Sequence, residues 1–217
     1  MSVKLYDAPS EIDYKIANLA CVSSDNFDNP NYVGLIKFLI REGHWSPLDM
    51  CNITIEINTQ KDVGIQILRH QNLKPQEWSQ RYADCSDMRA ELRECRLQDE
   101  DDRQNSLPCY DADLIEWWIN VQKGLQDHAF EIYNNALQQG IAKEIARSVL
   151  PIGLTNTKMY FNGTVRQWLF YCKSRMHCST QKEHRIVANK VFKILQEVAP
   201  CTTLAFADVF YLKLEDF

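Results

Sequence analysis

The 217-residue chain is 45% hydrophobic, 24% charged and 11% aromatic, with a formal net charge of -5. That length suits one large domain or two small ones with ample apolar content for a core, and 29 Asp and Glu against 24 Lys and Arg leave no basic surplus for wrapping a nucleic-acid backbone. No apolar run approaches the roughly 20 residues that span a bilayer, the first residues lack a secretory pattern, and a compact, cytoplasmic protein with no membrane and no nucleic-acid partner is expected.

In chain order, Val3 to Asp7 reads as a short strand. A helix follows from about Ser10, placed as N-cap before Glu11, with Ile12, Ile16, Leu19 and Ala20 on one face. The DNFDNPN stretch is turn-rich. Tyr32 to Glu42 predicts a second helix carrying Leu35, Ile36, Leu39 and Ile40, stopped by Gly43. Cys51, Ile53, Ile55 and Ile57 alternate with Asn52, Thr54, Glu56 and Asn58, the pattern of a half-buried strand. Lys61 to His70 predicts a helix with Val63 and Ile67 inward and Ile65 as a further inward candidate. Residues 84–106 are polar and aperiodic, which predicts a long excursion or a flexible segment. A long helix is expected from Asp113 to about Gln139, ended by Gly140. Ile141, Ile145 and Val149 mark a short helix with those three residues inward, stopped by Pro151. Thr155 to Phe161 predicts a strand, Thr164 to Arg175 a helix, and Gln181 to Val198 the last clear helix before an apolar C-terminal piece. The pattern amounts to one α+β domain over residues 1–217.

The eight cysteines (Cys21, Cys51, Cys85, Cys95, Cys109, Cys172, Cys178 and Cys201) form no CxxC. Cys172, His177 and Cys178 match no usual zinc spacing, so reduced packing thiols and no metal are expected.

The segment QILRHQNLKPQEWSQRY (66–82) carries the chemistry. On a helix, Gln66, Arg69 and His70 stand at i, i+3 and i+4 and share a face. If the piece after Pro75 is extended, Glu77, Ser79 and Arg81 point one way and Trp78, Gln80 and Tyr82 the other. Forked donors and a short hydroxyl converging there suit a phosphate monoester. Periodicity alone favours the plainer alternative, a surface Arg–His pair followed by an edge strand. By the same plain reading, Arg147 in IAKEIARSVLP and Arg166, Lys173 and Arg175 in NGTVRQWLFYCKSR lie on solvated faces, with Val165, Trp168, Leu169 and Cys172 as core.

Together these segments resemble the flavin-dependent thymidylate synthases, the ThyX family. The hallmark there is Arg-His-Arg, seven residues, then Ser, often as Glu-x-Ser-x-Arg-Tyr. This chain has Arg69-His70-Gln71, seven residues, then Ser79, with Glu77, Arg81 and Tyr82 in register. Gly43-His44-Trp45-Ser46-Pro47, Ala146-Arg147-x-Val149-Leu150-Pro151, Asn162-Gly163-Thr164-Val165-Arg166 and Thr180-Gln181-Lys182-Glu183-His184-Arg185 add to the likeness, the last two in the manner of a branch with phage and viral members (and so, for a viral source, the host cytoplasm).

The resemblance implies an α+β fold, an antiparallel sheet flanked by helices, assembled as a homotetramer whose active sites are shared between subunits. It implies reductive methylation of dUMP to dTMP, with methylenetetrahydrofolate as carbon donor, FAD as cofactor, NADPH as reductant and tetrahydrofolate as product. It places Gln66, Arg69, Glu77, Trp78, Ser79, Gln80 and Arg81 on the nucleotide, with Arg147 joining from another subunit. Arg175 falls beside the uracil ring as the catalytic residue. Arg69, His70 and Gln71 fall on the flavin, joined by Ser23, His44, Ser46, Glu77, Asn162, Thr164 and Arg166. No cysteine occupies a motif position. Two departures stand out: Gln71 replaces the second hallmark arginine, and Asp49-Met50 replaces a common Glu-His. Two alternatives keep the fold but change the outcome, namely hydroxymethylation of a pyrimidine nucleotide, or nucleotide or flavin binding without turnover.

Overall fold

A computed structural model describes residues 1–24 and 26–215. Asp25 of the DNFDNPN stretch and the last two residues of the C-terminal piece lie outside the described residues. In chain order come β1 (Ser2–Asp7), α1 (Ile12–Ala20), α2 (Tyr32–Arg41), a 3₁₀ turn (Ser46–Met50), β2 (Asn52–Gln60), α3 (Lys61–Leu68), β3 (Lys74–Glu77), β4 (Arg96–Gln98) and β5 (Ser106–Pro108). Then follow α4 (Ala112–Gln138), α5 (Lys143–Ala146), a 3₁₀ turn (Arg147–Val149), β6 (Asn156–Thr164), α6 (Val165–Arg175), α7 (Lys182–Val198) and α8 (Pro200–Phe210). This is the expected α+β class.

A four-stranded sheet runs β1-β2-β6-β3, and β4 and β5 form a separate antiparallel hairpin. The β2–β6 pair is antiparallel. Asn162 Nδ2 donates to Thr54 Oγ1 at 2.9 Å, and Tyr160 Oη donates to Glu56 Oε2 at 2.7 Å, so a step of two along one strand is a step of two back along the other. Ile53, Ile55 and Ile57 are fully buried, while Thr54 and Glu56 take the opposite face, as a period of two requires.

The chain divides into two compact units. The first comprises Met1, Asn58–Arg69 and Gln76–Met159; the second comprises Ser2–Ile57, His70–Pro75 and Tyr160 onward. In the second unit α2 packs on α8 and α6 on α7. Trp168, fully buried, anchors α6 to β2 by donating from Nε1 to the Ile53 carbonyl at 3.0 Å. Asp13 caps the start of α8, accepting from the backbone N–H groups of Cys201 and Thr202 at 2.7 and 2.9 Å. Gly163 permits a close approach: a Cβ there would fall 2.4 Å from Leu73 Cδ2, 3.2 Å from Trp168 Nε1 and 3.3 Å from Gln167 Oε1.

In the first unit Cys85, Phe130, Tyr133, Ala146 and Leu150 form a core against which Trp78 and Met88 pack. The Tyr133 hydroxyl accepts from Cys85 N at 2.9 Å, and burial pushes its pKa up to about 12.

Several expectations change. The first helix starts at Ile12, with Glu11 rather than Ser10 at the N-cap, in a left-handed conformation (φ 51) and without a side-chain cap. A further helix, α8, occupies the C-terminal piece, because Pro200 starts a helix well at its first turn. Ile141, Ile145 and Val149 do not face inward: they are 45%, 60% and 38% exposed, and Ala146 and Leu150 are buried instead. The switch from α5 to a 3₁₀ turn at Arg147 breaks the four-residue stripe. Ile65 is likewise exposed.

The 84–106 excursion is not loose. Gln126 Nε2, on the buried face of α4, donates to the Ala90 and Leu154 carbonyls at 2.8 and 2.9 Å. One turn earlier, Gln122 accepts from Arg93 N at 2.9 Å and donates to Arg93 O at 2.8 Å, as a neighbouring strand would. Asn156 Nδ2 donates to Arg89 O at 2.7 Å, and the Arg93 guanidinium forks onto both Asp62 oxygens at 2.7 and 2.9 Å. Polar side chains take the place of a hydrophobic period. Replacing Gln126 with Leu strands the buried Ala90 carbonyl, while the Leu154 carbonyl keeps its bond from Ala90 N at 3.1 Å, so urea unfolding should show a loss of about 1–3 kcal/mol.

Candidate active site

The first unit holds Gln66, Arg69, Glu77, Trp78, Ser79, Gln80, Arg81 and Arg147. α3 ends at Leu68, so Gln66 lies in its last turn and Arg69 at its C-cap, while His70 has left the helix. The three residues therefore do not share a helical face. Gln66 is half-buried, and the exposed Arg69 guanidinium has no protein partner among the described residues.

The extended piece also ends earlier than the alternation predicts, at Glu77. Ser79, Gln80 and Arg81 form a turn instead: Ser79 Oγ accepts from Arg81 N at 3.3 Å and its carbonyl from Ala83 N at 3.1 Å. Trp78 and Gln80 turn inward and Tyr82 outward. Gln80 is 8% exposed, and its buried Nε2 has no hydrogen-bond partner among the described residues. A buried amide donor without an acceptor is costly, and a ligand oxygen would relieve it.

Glu77 Oε1 accepts from Lys61 Nζ at 2.8 Å and from Thr157 Oγ1 at 2.6 Å. Lys61 opens α3 and Thr157 lies on β6, so three elements fix this carboxylate. Glu144, on α5, gathers the two candidate phosphate arginines. Its carboxylate accepts from Arg81 Nε at 3.0 Å and its carbonyl from Arg147 Nε at 3.3 Å. Arg81 and Arg147 thus bond the same residue through different atoms. Sequence reasoning missed Lys61, Thr157 and Glu144; the three-residue spacing of Glu144 from Arg147 on a helical segment is the one signal that pointed to it.

The second unit holds Ser23, His44, Ser46, His70, Gln71, Asn162, Thr164, Arg166 and Arg175. Arg175, the last residue of α6, donates from Nε to His70 Nε2 at 2.7 Å. That bond requires a neutral imidazole with its proton on Nδ1. Burial, and then the Arg175 charge, lower the His70 pKa to about 4. Tyr171 stands edge-on to His70 at 4.9 Å, and its buried hydroxyl meets His184 Nε2 at 3.1 Å. Desolvation, with smaller contributions from Arg175 and His70, lowers the His184 pKa to about 3.

Thr164 N-caps α6 in a capping box with Gln167 and also donates to Asp49 Oδ1 at 2.9 Å. Arg166 donates to the other Asp49 oxygen at 2.8 Å. The departure at Asp49 therefore joins two flavin candidates. Asn162 is held by Thr54, as described for the sheet. Ser23, His44, Ser46 and Gln71 are exposed, and no hydrogen bond joins any of them to another candidate among the described residues. All eight thiols are free, and burial pushes those of Cys51, Cys85, Cys172 and Cys201 upward, away from the nucleophilic form.

The model of the thymidylate synthase complementing protein family matches residues 4–201. The chain is 43% identical over 190 residues to the flavin-dependent thymidylate synthase of Synechocystis sp., covering 88% of this chain and 87% of that protein. It is 38% identical over 187 residues to the probable flavin-dependent thymidylate synthase of Paramecium bursaria Chlorella virus 1, covering 85% and 86%. The solved structure of a UMP/dUMP methylase, PolB from Streptomyces cacaoi, bound with 5-Br dUMP, matches with a TM-score of 0.85 at 24% identity, covering 97% of this chain and 96% of that one. At that identity the likeness speaks for the fold.

The two depressed histidines set an acid limit. The unfolded chain takes up protons at ordinary histidine pKa values near 6.5, whereas the folded chain resists until about 4 at His70 and about 3 at His184. The unfolded state therefore binds more protons over that window, and stability falls as pH drops below about 6.5. Melting temperature against pH should decline more gently over that range in a His184→Gln variant than in the wild type.

Proposed function

The chain belongs to the thymidylate synthase complementing protein family, the flavin-dependent thymidylate synthases, and on that premise we propose that it reductively methylates dUMP to dTMP. Methylenetetrahydrofolate supplies the carbon, NADPH the reducing electrons, and tetrahydrofolate and NADP leave. The reading is carried by one observation: the Ser79–Arg81 turn combines a buried, unpartnered Gln80 amide with an arginine that shares Glu144 with Arg147.

The nucleotide's phosphate dianion displaces the Glu144 carboxylate from Arg81, because two negative charges and three acceptor oxygens outcompete one exposed carboxylate. Arg81, Arg147, the Ser79 hydroxyl and Gln66 orient it, and Gln80 gains its missing acceptor. Glu77, whose Oε1 is occupied by Lys61 and Thr157, offers Oε2 to the ligand. Arg69 and Trp78 complete the nucleotide set. Arg175 acts on the base: a fixed cation beside the uracil stabilises negative charge as N3 ionises or an enolate develops, which makes C5 the nucleophile. His70 holds that guanidinium in plane by accepting its Nε–H.

FAD supplies the redox chemistry when bound. The donor set suits its pyrophosphate and ring edges: hydroxyls at Ser23, Ser46 and Thr164, imidazoles at His44 and His70, amides at Gln71 and Asn162, and cations at Arg69 and Arg166, with Glu77 near the ring. Asp49 offsets the charge of Arg166. We take residues 1–217 as one such domain, working in the cytoplasm as a homotetramer with active sites shared between protomers. An apolar stripe on α4 supports assembly: Trp117, Val121 and Leu125, each one turn apart, are 56%, 42% and 53% exposed, more than a monomer usually leaves on one helix. Among the described residues no helix is long and apolar enough to cross a membrane.

Mass spectrometry after incubation with dUMP, methylenetetrahydrofolate, FAD and NADPH should show dTMP. An added CH2OH without NADPH consumption would replace the reading with hydroxymethylation, and dUMP binding without tritium release from C5 would replace it with a binding protein. Arg81→Ala should raise the KM for dUMP about 10- to 100-fold with kcat nearly unchanged, since one charge-assisted bond of about 1.5–3 kcal/mol is lost. Restoring the hallmark with Gln71→Arg should tighten FAD binding by a similar factor, measured by flavin fluorescence quenching; an unchanged Kd would mean that only the backbone of residue 71 contacts the coenzyme.

A further inference from the structure

Two buried residues behind Arg175 have no part in the chemistry described so far. Tyr171 precedes Arg175 by one turn of α6 and is 2% exposed. Its ring meets His70 edge-on at 79° and Trp168 at 89°. Its hydroxyl would be an orphan in the core were it not for His184, on α7, whose Nε2 lies 3.1 Å away. His184 is fully buried and its ring lies 6.3 Å from that of His70. Two aromatic rings and one hydrogen bond therefore fix the plane of the imidazole that accepts from Arg175.

We propose that Tyr171 and His184 are positioning residues for Arg175. The buried His184–Tyr171 hydrogen bond locks the tyrosine ring, the locked ring sets the His70 imidazole, and the imidazole sets the plane of the guanidinium. The inference rests on the reading of Arg175 as the arginine at the uracil base. It gives the histidine of the Thr180–Arg185 motif a mechanical role. His184 never approaches substrate, but a leucine in its place would let Tyr171 rotate. Desolvation first, then the facing Arg175 and His70, keep His184 neutral at the pH of turnover, and in the tautomer protonated on Nδ1 its Nε2 accepts the tyrosine proton.

Core packing alone would make these residues matter for stability and nothing else. The test uses the full-length enzyme with FAD, NADPH, methylenetetrahydrofolate and dUMP, following kcat, the KM for dUMP and the melting temperature. Tyr171→Phe keeps the ring and removes only the hydroxyl. It should lower kcat about 10- to 100-fold, the scale of a misplaced catalytic group, at an unchanged KM for dUMP. His184→Leu should lose the same factor, the double variant should lose no more than either, and His184→Gln, which keeps an acceptor, should recover most of the rate. A Tyr171→Phe enzyme with wild-type kcat beside an inactive Arg175→Ala enzyme overturns the positioning role while sparing the role of Arg175. An Arg175→Ala enzyme with wild-type turnover overturns both. Should His184→Leu fail to fold, Tyr171→Phe decides alone.

Discussion

The hydrogen bond from Arg175 to His70, 2.7 Å long, exists only while the imidazole is neutral. Most of what surrounds it serves that condition. Burial opposes a second positive charge in the same unit, and the guanidinium opposes it further, so the neutral form persists through the whole physiological range. A permanent cation is thereby aimed by a permanently neutral acceptor. This arrangement engages Nε of Arg175 and is compatible with the proposed use of its terminal NH2 groups.

The other unit solves a different electrostatic problem. Arginines left unpartnered would repel one another and attract any passing anion. Glu144 answers both by accepting from Arg81 through its carboxylate and from Arg147 through its carbonyl. The pair is exposed and worth little as a source of stability, which is consistent with the proposed exchange for a phosphate. Lys61 and Thr157 treat Glu77 in the opposite way, holding one oxygen of a half-buried carboxylate with two short bonds. One acid is exposed and singly bonded, the other half-buried and doubly bonded.

The legible parts of the fold were those with a period. β2 reads from the alternation of Ile53, Ile55 and Ile57, and α4 from its length and the Gly140 stop, realised with a positive φ of 81°. Stripes misled where the helix changed pitch, as at Ile145, or where another copy of the chain is the expected cover. The excursion at 84–106 was illegible because its partners are the amides of Gln122 and Gln126, which carry no hydrophobic signal. Site residues were legible through shared motifs, which name side chains but not their neighbours. Asp49, Tyr171 and His184 make contacts between segments distant in sequence, so no local spacing announced them, and Glu144 left only its spacing from Arg147.

Gly163 bears on how this sequence can drift. Any side chain there would strike Leu73, and none of its three neighbours is free to yield: Leu73 is 2% exposed, Trp168 is tied to Ile53, and Gln167 is tied into the cap of α6. Even a single methyl is therefore barred until the leucine shrinks. A larger residue at 163 and a smaller one at 73 are therefore coupled, each best tolerated in the company of the other.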